Sequence, residues 1–146
     1  MDNNTVTDVA HAIQMSLSPI FLLSGISVLL GVLTARLARV VDRARPMEAK
    51  LITATQDESA DLRRQLRILA QRARLMNWAI NLGTIAALLV AVTVIIIFAG
   101  AIYSFSLAEP LAFLFISAMM ALVVALLLFL SEVTVATRTI RIGPRQ

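Results

Sequence analysis

The sequence has no cysteine, which excludes disulfides, thiolate metal sites and thiol catalysis. Its single histidine, His11, has no evident metal partner beyond Asp8; capping a helix or meeting lipid headgroups suits it better. A Ser/His/Asp set, an HExxH motif, a glycine-rich phosphate loop and a carboxylate pair in the middle of an apolar stretch are all missing. No enzymatic activity, metal or cofactor is therefore expected. Charge is also scarce. Asp, Glu, Lys and Arg make up 15% of the chain, against about a quarter in ordinary globular domains.

What the chain has is apolar mass, 59% of its 146 residues, gathered into blocks. No residue is charged between His11 and Arg36, between Arg74 and Glu109, or from Pro110 to Ser131. A helix needs about 20 mostly apolar residues to cross the hydrocarbon of a bilayer, and each stretch is long enough. Backbone polar groups in lipid must be satisfied within the segment, so the stretches are expected as helices. The expected fold class is all-α integral membrane, with three transmembrane helices and a cytoplasmic helical hairpin extending from the first and second spans. By length it is a single membrane domain, with spans at 12–35, 75–103 and 110–131, a helical loop at 36–74 and a tail at 132–146.

The net charge of +4 marks orientation here, not a nucleic-acid partner. Ten basic residues, from Arg36 to Arg74, lie between the first two apolar stretches, and Arg138, Arg141 and Arg145 follow the third. Together they are all thirteen. The segment before the first span and the turn near Tyr103–Glu109 have none. Basic loops stay cytoplasmic, so the loop and the C-terminus are expected inside and the N-terminus outside. Asp2 and Asp8 precede the first apolar stretch where a signal peptide would carry basic residues, so this segment reads as a retained span.

Local signals place the helix ends. Thr7 or Asp8 offers an N-cap to the first helix, Pro19 predicts a kink or local break, and Pro46 predicts its end. Thr55-Gln56-Asp57-Glu58 matches a capping box, with acids in the first turn where the helix dipole favours them. From there Leu62, Leu66, Leu69, Ala73 and Met76 recur in steps of four and three and continue as Ile80, Gly83 and Ala87. One long helix is expected, its seam packing against Leu33, Leu37 and Val40 or Val41. Glu109-Pro110 opens the third helix, and Gly143-Pro144 is expected to stop it.

LTARLARVVDRAR after the first span, RARLMNWAI entering the second and LFLSEVTVATRTIRI leaving the third resemble an uncharacterised bacterial family, domain of unknown function 2721. The resemblance runs from about Ala10 to Ile142. It implies a three-span protein of the bacterial inner membrane and no particular activity.

Two sets of residues stand out. Arg36, Arg39, Asp42, Arg43, Arg72, Arg74, Asn77, Asn81, Glu132 and Arg138 form a polar belt at the cytoplasmic boundary, with Thr34 beside it. Asp42 has local partners in Arg39 and Arg45. Glu132, the only acid on its span, is expected to meet Arg36, Arg39 or a guanidinium of the second helix. Asn77 and Asn81 share a face from which they can reach a neighbour. The belt reads first as an interfacial anchor with Trp78 at headgroup depth, then as a network locking helix register, and last as an ion-handling site.

The second set, Ser24, Ser27, Gly31, Thr34 and Ala38, is a stripe of small residues that lets helices approach closely. It suits packing within the chain, self-association, or the lining of a pore in a ring of subunits. The expected function is a non-enzymatic scaffold or accessory subunit working through helix–helix association, as a homo-oligomer or on another membrane protein. The alternative is a small homo-oligomeric ion channel with the first helix lining the pore. Anionic headgroups at the cytoplasmic face are the expected lipid partners.

Overall fold

A computed structural model describes residues 3–103 and 108–138 of the chain, with side chains 3–5, 8, 57, 103, 135, 137 and 138 excepted. It has three helices among those residues and no strand: α1 (Asn3–Leu51), α2 (Gln56–Tyr103) and α3 (Ala108–Arg138). All three are long and apolar enough to cross a membrane. In the most apolar stretch of each, only 17%, 17% and 11% of residues are buried inside the protein. Large side chains such as Phe21, Phe113 and Leu130 are left 74%, 73% and 61% exposed. Soluble proteins do not display so much contiguous apolar surface. The chain is a multi-pass membrane protein.

Each helix buries one seam. On α1 the buried or half-buried positions from Ala12 to Met47 alternate in steps of four and three, and α2 does the same from Leu62 to Val94 and α3 from Leu111 to Glu132. A spacing of 3.5 residues keeps one stripe of a helix facing its neighbours. On α2 this seam contains the stripe expected from Leu62 to Ala87, and it is longer than that stripe.

The packing resolves into two compact units, each drawn from all three helices. One comprises Met1–Leu30 with Leu82–Val124, the other Gly31–Asn81 with Ala125–Gln146. In the first, Ile26, Ala86, Val90 and Ala118 form the buried core, with Leu22, Leu23, Leu30, Ala121 and Leu122 packed around it. Close approach is built in at Gly83, where a Cβ would stand 2.9 Å from Cδ2 of Leu30. In the second, Val40, Leu69 and Met76 form the core against Leu37, Ala44, Met47 and Ala73. Of the alternatives Val40 and Val41, the buried one is Val40; Val41 is exposed.

Three expected boundaries are corrected. α1 begins at Asn3, before Thr7 and Asp8. Of the kink or break expected at Pro19 the break does not occur: the helix continues through this residue, which is buried on the seam. α1 also passes Pro46 to end at Leu51, where Ile52 and Thr53 donate back to the carbonyls of Ala49 and Lys50. Proline costs a helix about 3 kcal/mol in its interior, but Ala44 and Met47 flank Pro46 and both pack on the core. Tertiary burial overrides the local preference. The expected cap of α2 forms in part: Thr55 donates its backbone N–H to Glu58 Oε2 at 3.3 Å, and its hydroxyl to the same oxygen at 3.0 Å. α3 begins at Ala108, one residue before Glu109-Pro110. The turn at 104–107 and the tail with Arg141, Gly143-Pro144 and Arg145 lie outside the described residues.

Candidate functional site

Glu132 ends the seam of α3, seven residues beyond Ala125, and is fully buried. A carboxylate taken out of water loses several kcal/mol of hydration that only close, well-directed donors offset. Two helices supply them. From α2, Arg72 directs both Nε and a terminal amino group at Oε1, at 3.0 and 2.7 Å. From α1, Arg36 donates to Oε2 at 3.3 Å. Arg36 also lies over the ring of Phe129, 5.2 Å from its centroid, a cation–π contact. The two guanidiniums keep part of their surface outward, 38% for Arg36 and 23% for Arg72, while the carboxylate has none. One acid thus ties α3 to α1 and α2 at a single level.

The rest of the belt is not drawn into this cluster. Both ion pairs found among the described residues end on Glu132. Arg39 donates Nε to the carbonyl of Ala35 on its own helix. Asp42, Arg43 and Arg74 are exposed, and Asp42 forms an ion pair with neither Arg39 nor Arg45. Asn77 and Asn81 share an exposed face with Trp78 and, among the described residues, bond to no neighbouring helix. The side chain of Arg138 lies outside the described residues. No group of acids and histidines able to hold a metal occurs among the residues described.

The small-residue stripe is placed differently from the packing account. Ser24, Ser27, Gly31, Thr34 and Ala38 are all exposed. They follow the buried or half-buried positions Leu23, Ile26, Leu30, Leu33 and Leu37 by one residue each, which turns the stripe about 100° around the helix from the seam. A Cβ added at Gly31 would meet nothing within 4 Å, and the same holds for Gly25. Ser27 donates to the carbonyl of Leu23 in its own helix. Packing inside the chain is done by the leucines, and the small face points away from it.

Three features escaped sequence reasoning. Phe129 precedes Glu132 by three residues, a spacing that puts both on one helix face, but nothing marked it among many apolar neighbours. Ser16 and Thr93 are buried polar residues whose hydroxyls donate to the carbonyls of Ala12 and Leu89, one turn back. Gly83 stood on the expected stripe without its close contact to Leu30 being foreseeable.

The model of a family described as "Protein of unknown function (DUF2721)" matches residues 16–142. The chain belongs to that family. The match covers α1 from Ser16 onward, all of α2 and α3, and every residue of the Glu132 cluster. No curated protein and no solved structure matches the chain.

Proposed function

We propose that this chain is a non-enzymatic membrane scaffold or accessory subunit that works by helix–helix association, with a second copy of itself as the first partner. In this reading it is a single membrane domain in a bacterial inner membrane. The N-terminus is outside, and the 36–74 hairpin and the C-terminus are in the cytoplasm, as the confinement of all basic residues to those segments favours. Anionic headgroups face the arginines. The observation that carries the association is the exposed small face of α1. In lipid, apolar burial does not drive helices together; close backbone approach and dispersion do, and small residues permit both. A heptad-spaced small face turned away from the chain's own core is suited to a further helix.

Gly31→Leu tests this, because a Cβ added at that position meets nothing within 4 Å in the single chain. The expected result is a wild-type complex of more than one copy in nanodiscs, trapped by crosslinking, and a single copy for the variant with an unchanged helical spectrum. An unchanged mass on Gly31→Leu overturns self-association. The alternative is a small homo-oligomeric ion channel with the first helix lining the pore and the arginine belt at its inner mouth, and ion flux from proteoliposomes that changes on Arg36→Gln would favour it.

A further inference from the structure

Beside the Glu132 cluster, Arg36, Arg39, Arg43 and Arg72 line one cleft of about 250 Å³ whose remaining walls are Val40 and Leu69. Four arginines therefore share one cleft, with Glu132 as the only carboxylate paired to any of them among the described residues. Arg39 spends only its Nε, on a backbone carbonyl. Arg43 has no acid within ion-pair reach among the described residues. The positions 36, 39 and 43 follow one another on α1 by three and four, a spacing at which like charges repel. Such an arrangement is relieved by an anion.

Its orientation is also prepared in advance. Glu132 already accepts from Arg36 and Arg72, so both side chains are held before a ligand arrives. Guanidinium donors match the oxygens of phosphate in pairs. The cleft is smaller than the roughly 300–1,000 Å³ of sites for larger organic ligands, which limits the occupant to a compact group.

We propose that this cleft binds a phosphate-bearing anion, seated between α1 and α2 on Arg39 and Arg43 with Arg36 and Arg72 completing the cradle. The phosphate can belong to the headgroup of an anionic phospholipid or to a soluble ion; the recognising chemistry is the same. This deepens the view of the belt as a headgroup-facing surface by turning diffuse attraction into one defined site.

The test uses the full chain purified in a neutral detergent, titrated separately with phosphatidic acid and with inorganic phosphate. Binding is read as retained mass in native mass spectrometry and as a rise in the thermal midpoint. Arg39→Gln/Arg43→Gln removes two arms of the cradle without touching the Glu132 ion pairs. Arg64→Gln/Arg74→Gln removes equal charge from two exposed arginines outside the cleft. The wild type is expected to take one equivalent, the first variant to lose more than about tenfold in affinity, and the second to bind like wild type. Arg43→Gln alone shifts the affinity in the same direction by less. Binding of phosphatidic acid alone assigns a lipid; competition by inorganic phosphate assigns a soluble source; both support the site. Equal loss in the two double variants overturns the site and leaves the general headgroup attraction standing. Absence of binding of either probe by the wild type overturns both.

Discussion

The two units use the same three helices with the same 3.5-residue seams, yet different forces hold them. In the unit of Met1–Leu30 and Leu82–Val124, the buried core is Ile26, Ala86, Val90 and Ala118, and its buried hydroxyls, Ser16 and Thr93, bond within their own helices. Among the described residues, nothing in that core is directional between helices. In the unit of Gly31–Asn81 and Ala125–Gln146, a core of Val40, Leu69 and Met76 is joined by a carboxylate that accepts from two other helices. An apolar core in lipid competes with lipid tails that are as apolar as itself, so it depends on fit. A buried ion cluster depends on particular partners, and a helix that slips by one residue loses them.

That contrast predicts its largest effect at Arg72. Arg72→Met leaves the buried carboxylate of Glu132 with the single 3.3 Å bond from Arg36, and breaking one side of a buried pair costs about 3–5 kcal/mol. Arg36→Met leaves both Arg72 bonds in place and is expected to cost less than half as much. Denaturation by a harsh detergent, followed by circular dichroism, checks both. Equal losses in the two variants would mean that the cluster is plain charge neutralisation and not a directed lock.

A smaller effect separates the two cores. On the proposed topology Leu69 sits outside hydrocarbon, in the segment of α2 that carries the charges from Arg63 to Arg74, and it is 7% exposed. Leu69→Ala is expected to cost about 2–3 kcal/mol, transfer and cavity terms together. Val90→Ala, at a fully buried site in the apolar unit, loses dispersion contacts without the transfer term and is expected to cost about 1 kcal/mol. If Val90→Ala costs as much as Leu69→Ala, water and not lipid surrounds the first unit.

Most of this architecture was legible because composition in lipid is restrictive: charge-free stretches of that length have few folds open to them. The seam of α2 could be traced from Leu62 to Ala87, and Glu132 stood out as the one acid at the end of 22 uncharged residues. Choosing its partners required distances. Arg36, Arg39 and the arginines of α2 were equal candidates until the structure put Arg36 and Arg72 on the carboxylate and Arg39 on Ala35. Pro46 misled because local propensity knows nothing of Met47 packing on the core. The stripe from Ser24 to Ala38 was visible, but its direction was not: a one-residue offset decides whether a heptad face meets the core or leaves it, and that offset is set by where the leucines pack.

The smallest expected effect sharpens the claim that fit alone holds the apolar unit. At Gly83 a Cβ would come within 2.9 Å of Leu30 Cδ2, the flexible end of its side chain. Gly83→Ala therefore asks only that Leu30 turn, and the gain in helix propensity, ~1 kcal/mol, offsets that strain, leaving stability near wild type. Gly83→Leu cannot be accommodated by one rotamer. Three more carbons must enter a contact already at its limit, and overpacking of this kind costs about 1–3 kcal/mol, here at the lower end because lipid yields where the helices part. The same unfolding assay reads both variants. A Gly83→Leu protein as stable as wild type would show that α1 and α2 slide apart freely in the first unit, leaving the Glu132 cluster as the main fixed point among the three helices.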